Sequence, residues 1–258
     1  MSCINRSRWF RAGLFLALMI ATIMPVSSQQ VVRVLFIGNS MTYWNNMLTF
    51  VMSLNKDLGS DPKILVTDNT IANAGLREQL SDTSFWSALG AIRKGGFDVV
   101  VLQGKASEPL EEPEEFSTAA IRFAEEAKAI GANPLFYQTY VLPPAFRIFY
   151  EQPWSGASPA EMQARVSAAY AAVAKQTNTR VARVGDAFLW LSLNHPEIKL
   201  FSDDFIHPSI GGSYLMACMF ASLLSGKDPR MASWIPSTGV TDQEAILLRS
   251  VAWDFTRE

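Results

Sequence analysis

Residues 31–40 read Val31-Val-Arg-Val-Leu-Phe-Ile-Gly-Asn-Ser40, an apolar run that stops at a Gly-Asn-Ser turn. Consecutive β-branched and aromatic residues are typical of a strand that is buried on both faces of a parallel sheet. Gly38 permits a tight turn, and Ser40 would then lie near the start of the following helix. The stretch therefore predicts a buried opening strand with a serine at its carboxyl end.

Similar apolar runs alternate with amphipathic segments along the rest of the chain. We predict further strands over residues 63–67, 97–102, 133–140 and 179–184, and helices over residues 44–58, 83–93, 113–130, 159–176, 186–193, 210–224 and 242–255. Strictly alternating strands and helices imply right-handed crossovers and a parallel sheet covered on both sides. The fold class is thus α/β, with a five-stranded, flavodoxin-like sheet. Ligands bind such sheets beyond the carboxyl ends of the strands, where Ser40 and Gln103 would lie.

The amino-terminal segment has the organisation of a secretory signal peptide. Met1 to Arg11 is basic with no acidic residue, Gly13 to Met24 is apolar, and small residues lead up to Ser28. A basic region, a short apolar core and small residues before a cleavage site define such signals. The rival interpretation is an uncleaved anchor, but the apolar run is shorter than the roughly 20 residues that a bilayer requires. We predict a signal peptide over residues 1–28, one domain over residues 29–258, and an exported protein, periplasmic or secreted, without stable membrane insertion.

Composition argues against several classes of protein. The 258-residue chain has a net charge of −2, a pI near 5.8 and no basic helical face, which disfavours a nucleic-acid partner. Cys3 leaves with the signal peptide, so Cys218 is single and cannot form an internal disulfide. No His/Cys/Asp/Glu cluster has metal-ligand spacing and no glycine-rich phosphate loop is present. We expect no metal and no cofactor. The sequence leaves the oligomeric state open.

A second polar stretch, residues 202–209, reads Ser-Asp-Asp-Phe-Ile-His-Pro-Ser and precedes an apolar helix. Asp204 stands three residues before His207 in a loop, so its carboxylate can reach the imidazole and orient it. Histidine, with an unperturbed pKa of about 6.5, is a competent base near neutral pH, and a serine hydroxyl needs such a base. Ser40 alone could be a helix N-cap. Together the two stretches favour Ser40, His207 and Asp204 as a catalytic set, with Asp203 as a solvated neighbour.

The two stretches resemble the SGNH/GDSL hydrolase superfamily, in a branch with Gly38-Asn39-Ser40 at the nucleophile and Leu102-Gln103 in place of Gly-x-Asn-Asp. The resemblance spans Val31 to about Leu224 and implies a three-layer α/β/α sandwich. It also implies a Ser-His-Asp triad and an oxyanion hole formed by the backbone N–H groups of Ser40 and Gly75 with a side-chain amide, here that of Gln103. Alternatively, Gln103 simply terminates its strand.

Four further residues are candidates for contacts with substrate: Asn39, Trp44, Tyr150 and Trp154. Asn39 could instead be an ordinary turn residue, and Trp44 could be a helix-packing residue. Tyr150 and Trp154 belong to a long aromatic segment, residues 141–157, and loops of this length are often functional. The segment would form one wall of an acyl or sugar pocket, or else an inert cover.

Together with the predicted export, the resemblance implies a serine esterase that hydrolyses carboxylic esters through an acyl-enzyme. Candidate substrates are O-acetyl groups on extracellular or cell-envelope glycans, or short-chain or lipid esters. The same triad could also transfer an acyl group to a sugar. The competing interpretation is a catalytically inactive glycan-binding or scaffold domain on this fold, because fold alone does not determine function.

Overall fold

The structure, a computed structural model, describes residues 30–257 apart from Thr83 and Phe85, and the side chains of Ile148 and Phe149 are likewise outside the description. The predicted signal peptide lies outside the described residues. In the part of the chain that is described, no helix combines the length and the apolarity needed to cross a membrane.

Five parallel strands form one sheet in the order β2-β1-β3-β4-β5. The strands are β1 (Val31–Gly38), β2 (Lys63–Thr70), β3 (Val99–Gln103), β4 (Asn133–Tyr137) and β5 (Arg180–Ala182). Strand order reverses at β1, which pairs with β2 on one side and β3 on the other. The predicted α/β class and the five-stranded flavodoxin-like sheet are confirmed.

Helices cover both faces of the sheet. They are α1 (Ser40–Tyr43), α2 (Met47–Asp57), α3 (Leu76–Ser81), α4 (Ala88–Arg93), α5 (Glu108–Glu111), α6 (Pro113–Ala129), α7 (Arg147–Tyr150), α8 (Pro159–Thr177), α9 (Val184–Asn194), α10 (Ile210–Ser225) and α11 (Asp242–Asp254). On one face α10 packs against α2 and α11, and on the other α6 packs against α3, α4 and α8. This arrangement is the expected three-layer sandwich.

The core lies where β1 meets α10. Val34 to Ile37 are at most 1% exposed, and the ring of Phe36 packs edge-to-face on Phe220 of α10 at 5.1 Å. A strand that is buried on both faces needs apolar residues at consecutive positions, which explains the continuous apolar run of β1. β1 is thus an interior strand, paired on both edges, and the turn that carries Ser40 follows it directly.

Two predicted helices are wrong in their boundaries. The helix expected over residues 44–58 is interrupted because Asn45 and Asn46 have left-handed backbone conformations (φ 55° and 56°), which asparagine adopts more readily than most residues. The helix expected from residue 83 begins at Ala88, where the Ser87 side chain accepts a hydrogen bond from the Gly90 N–H. The short helix α3 was not predicted.

Candidate active site

The Gly38-Asn39-Ser40 turn follows β1 directly, and Ser40 is the first residue of α1. The Asn39 side chain caps that helix by accepting a hydrogen bond from the Met41 N–H at 3.0 Å. Gly38 is required by close approach, because a Cβ there would lie 2.6 Å from Gln103 Oε1. The Ser40 N–H stands at a helix start, where backbone N–H groups have no intrahelical acceptor.

The loop before α10 is closed by an antiparallel bridge between Phe201 and Pro208. Within it, Asp204 Oδ1 accepts hydrogen bonds from the backbone N–H groups of Ile206 and His207, both at 2.9 Å, and from the Ser202 hydroxyl at 2.7 Å. The loop is therefore organised around one carboxylate oxygen, which leaves Oδ2 available for the imidazole.

Three polar side chains from these two loops form a continuous hydrogen-bonded chain. Asp204 Oδ2 lies 2.6 Å from His207 Nδ1, and His207 Nε2 lies 2.9 Å from Ser40 Oγ. Partial burial acts to raise the pKa of Asp204, but hydrogen bonds from the ring and backbone of His207 outweigh it and hold that pKa well below its usual range. The carboxylate is thus ionised near neutral pH, and it faces the ring nitrogen opposite the serine.

Asp203 and His195 are not part of this hydrogen-bonded series. Asp203 points outward, with its side chain 96% exposed, and pairs with Lys199 at 2.7 Å. His195, the other of the two histidines, is the C-cap residue of α9, and its Nδ1 lies 3.1 Å from Glu197 Oε1. Neither pair contacts Ser40.

Gln103, predicted to donate a hydrogen bond into the cleft, forms hydrogen bonds inside the protein in this structure. Its side chain is fully buried, and its amide nitrogen donates to the Gly104 carbonyl. Its Oε1 accepts hydrogen bonds from the Asn39 N–H at 3.0 Å and the Thr42 hydroxyl at 2.8 Å. The amide oxygen therefore holds the nucleophile turn against the end of β3, while the amide nitrogen is bonded to the residue next to Gln103.

Gly75, the second predicted donor, is also engaged internally. Its N–H donates to Glu78 Oε2 at 2.9 Å, across the first turn of α3. It lies at the expected place after β2, but a bound oxyanion would have to compete with a carboxylate for this N–H group. Two of the three predicted donors, Gly75 and Gln103, are thus hydrogen-bonded within the protein in this structure.

A buried carboxylate that the sequence analysis missed fixes both neighbouring loops. Glu108 is 1% exposed and accepts hydrogen bonds from the backbone N–H groups of Leu76 (3.0 Å), Arg77 (2.8 Å) and Lys105 (3.1 Å). Burial raises the pKa of Glu108, against the lowering effect of these three donors. A side chain at Gly75 would collide with this carboxylate. The only sequence signal was an acidic residue before Pro109, which is a common helix start.

Ser40 and His207 open onto a cleft of about 370 Å³. Its described lining is completed by residues from the loops after β1, β2, β3 and β4 and from the His207 loop: Asn39, Met41, Asn73, Lys105, Ala106, Ser107, Leu142 and Ile206. Asn73, one of these lining residues, is exposed and has a left-handed backbone conformation (φ 57°). The signal for it was an asparagine two residues before Gly75.

Leu142 lines this cleft and also a separate apolar chamber of about 140 Å³. The chamber is bounded by Val141, Phe188 and Phe201, among others. Leu142 itself is only 5% exposed. One leucine side chain therefore stands between the space beside the nucleophile and an apolar space.

Of the residues predicted to contact substrate, Asn39 lies at the cleft, whereas Tyr150 and Trp154 do not. Asn39 lines the cleft, but its amide nitrogen donates to the carbonyls of Ala74 and Gly104, so the alternative role of a turn residue is the one the geometry favours. Tyr150 and Trp154 are packed against the core and are not among the described residues that line the cleft. The Tyr150 hydroxyl donates to the Leu142 carbonyl, and burial raises the pKa of Tyr150 to about 12. The 141–157 segment is thus a packed cover at these two positions.

Trp44 contacts the imidazole directly. Its ring is stacked on that of His207, with centroids 3.8 Å apart and planes 11° apart. Among the residues whose placement is described, no group of three or more His, Cys, Asp or Glu side chains could hold a metal ion. The chemistry available in the cleft is that of a hydroxyl, an imidazole and a carboxylate in series.

Comparison with known proteins gives structural relatives but no match to a protein-family model or to a curated protein sequence. A candidate SGNH hydrolase from Slackia heliotrinireducens is 26% identical with a TM-score of 0.62, covering 75% of this chain and 98% of its own. A DUF4886 family protein from Bacteroides uniformis is 14% identical with a TM-score of 0.67, covering 87% and 94%. An acetylxylan esterase from Geobacillus stearothermophilus, solved as a catalytic mutant, is 15% identical with a TM-score of 0.54, covering 80% and 97%. The latter two likenesses concern the fold alone.

Proposed function

Since this chain belongs to the SGNH/GDSL hydrolase superfamily, we propose that it is a serine esterase with Ser40 as nucleophile, His207 as base and Asp204 as the residue that orients the base. One observation carries the proposal. The Ser40 hydroxyl, the two His207 ring nitrogens and the Asp204 carboxylate are joined by hydrogen bonds of 2.9 and 2.6 Å. A serine becomes a nucleophile when a base is held in this position and a third group orients the base.

The reaction follows from these positions. His207 Nε2 accepts the Ser40 proton as Oγ attacks the ester carbonyl carbon, and the carbonyl π electrons move to oxygen. The oxyanion collapses, the C–O bond to the alcohol breaks, and the imidazolium returns the proton to the departing alcohol. Water then attacks the acyl-enzyme with His207 again as base, which releases the carboxylic acid and restores Ser40.

The oxyanion is proposed to accept hydrogen bonds from the Ser40 N–H and from the side-chain amide of Asn73. Both groups belong to residues that line the cleft, whereas the amide of Gln103 is engaged inside the protein. Losing one such donor typically reduces kcat about 10²- to 10³-fold. Asn73 would therefore be the replacement for the amide that the sequence assigned to Gln103.

The acyl group is proposed to be short, with acetyl esters of glycans as the leading class. Support comes from Leu142, which lines both the cleft and the apolar chamber and stands between them. One structural relative is an acetylxylan esterase. Export through the predicted signal peptide of residues 1–28 would bring the enzyme to extracellular or envelope glycans.

Turnover of p-nitrophenyl acetate and of a panel of acetylated sugars by the purified protein tests the proposal, with Ser40→Ala beside it. Ser107→Ala is the matched control, because this serine lines the same cleft but its hydroxyl donates to Glu111. We expect Ser40→Ala to abolish turnover and labelling by a fluorophosphonate probe, and Ser107→Ala to retain both. Equal rates for the unaltered protein and Ser40→Ala would instead support the non-catalytic glycan-binding alternative.

A further inference from the structure

We infer that Trp44 is a positioning residue for His207: its indole face fixes the plane of the imidazole and stabilises the ring when it becomes positively charged. The inference deepens the proposed function, on which its kinetic part rests. It begins from the stack described above, with a centroid separation of 3.8 Å and an interplanar angle of 11°. This is a face-to-face contact over the whole ring rather than contact at an edge.

The backbone around Trp44 holds the indole in this place. The following residues, Asn45 and Asn46, both have left-handed backbone conformations that separate Trp44 from α2. Trp44 therefore lies in the segment before α2 and not on the surface of that helix. The Asn45 side chain then donates to the Pro208 carbonyl at 2.8 Å and to the Ser213 hydroxyl at 3.0 Å. Pro208 is the residue after the base, so the segment that carries the indole is tied to the loop that carries the imidazole.

The geometry suits the charge that the reaction creates. A cation over the face of an aromatic ring is attracted by the quadrupole of that ring, and tryptophan is the strongest partner among the aromatic residues. The His207 side chain is only 19% exposed, so water screens the contact little. Because Trp44 lies against the flat face, it leaves both ring nitrogens free for Asp204 and Ser40.

Other charged groups near the ring are accounted for. On its own loop, Asp204 faces Nδ1, and Asp203 is paired with Lys199 on the outer side. From the loop after β3, Lys105 lines the same cleft with its ammonium paired to Glu78. None of these groups is on the Trp44 segment, so replacing the indole changes one partner of the imidazole and leaves the charged ones in place.

The test compares Trp44→Phe and Trp44→Leu in the folded protein. Leucine keeps an apolar cover over the ring but has no π face, and phenylalanine keeps a weaker one. We expect Trp44→Leu to lower kcat about two- to fivefold and to move the acid limb of the kcat/KM–pH profile to lower pH by roughly half a unit, with Trp44→Phe between it and the unaltered protein. A purely structural role for the indole would lower kcat without moving the limb.

NMR titration of the histidine ring signals tests the contact between Trp44 and His207 without requiring catalytic activity. His195 lies 5.5 Å from Trp190, ring centre to ring centre, and serves as an internal reference. We expect Trp44→Leu to move the titration of the His207 ring signals and leave those of His195 in place, and Trp190→Leu to leave His207 in place. If Trp44→Leu folds, by circular dichroism, and the pH limb or the titration of the His207 ring signals stays in place, the inference is overturned. Moved ring signals in a protein without esterase activity would uphold the contact and refute only the proposed function.

Discussion

Asp204→Asn is expected to lower kcat because the side-chain amide of the new asparagine can adopt only one orientation in this loop. In the structure Asp204 Oδ1 accepts three hydrogen bonds, from the Ser202 hydroxyl and from the N–H groups of Ile206 and His207, while Oδ2 faces His207 Nδ1. An asparagine at this position will place its oxygen where Oδ1 is, because an NH₂ group there would face two backbone N–H donors. Its NH₂ group must then point at His207 Nδ1.

The consequence is an inverted tautomer. His207 Nδ1 has to accept a hydrogen bond from the new amide, so the ring proton moves to Nε2, which then donates toward Ser40 and cannot accept the serine proton. The same substitution in a Ser-His-Asp protease lowers kcat about 10⁴-fold, equivalent to about 5.5 kcal/mol of barrier. We expect a loss of this size here, with little change in the loop, since the three hydrogen bonds to the Oδ1 position are retained.

The assay is kcat/KM for p-nitrophenyl acetate, with Asp203→Asn as the matched control one residue away. That carboxylate is exposed and pairs only with Lys199 among the partners described above, so its loss should change kcat/KM little. Because the pKa of Asp204 in the folded protein is below its unfolded value of about 3.9, its stabilising effect is present above that pH and is lost only as the pH falls further. A folded Asp204→Asn protein within tenfold of the original activity, or an Asp203→Asn protein equally impaired, would refute the reasoning.

Glu108→Gln is expected to lower the free energy of unfolding by about 1–3 kcal/mol, because a glutamine NH₂ must face one of the three backbone N–H groups that the carboxylate accepts. Burial raises the pKa of Glu108, so the loss of unfolding free energy in Glu108→Gln, measured by urea denaturation, should be largest below about pH 4.3 and should shrink as the pH rises. An unchanged urea midpoint in the variant would contradict this. Gln103→Ala should lower kcat and also the free energy of unfolding, by about 1–3 kcal/mol, since it leaves the buried Asn39 N–H without its acceptor; loss of kcat at full stability would instead restore Gln103 as an oxyanion donor. Leu142→Ala should open the apolar chamber and raise kcat/KM for longer p-nitrophenyl esters relative to acetate by about fourfold per added methylene. Val141 lines the chamber but not the cleft, so Val141→Ala should leave the ratio of kcat/KM for longer esters to that for acetate unchanged. An unchanged ratio in both variants would refute the inference that Leu142 separates the cleft from the chamber.

Several elements could be predicted because their determinants are local. The buried run of β1, the turn before Ser40 and the three-residue spacing of Asp204 and His207 each lie within ten consecutive residues, and hydrophobic periodicity reports such segments well. The alternation of strands and helices then restricts the topology, since crossovers are right-handed. The breaks at Asn45 and Ala88 could not be placed, because capping and left-handed residues are weak signals inside a helical pattern.

The sequence by itself determined the class of the fold, the order of its strands and the stretches that carry a hydroxyl, an imidazole and a carboxylate. Only the tertiary structure decided what the polar residues around them contact. Apart from Gly104 and Lys105, the hydrogen-bond partners of Gln103 and Glu108 described above are 31 to 64 residues away in the sequence. A buried amide or carboxylate takes its role from the groups that are buried beside it. Burial makes those hydrogen bonds obligatory, because an unpaired polar group in the interior is costly. The indole of Trp44 likewise met the imidazole of His207 only when two distant loops were brought to the same edge of the sheet.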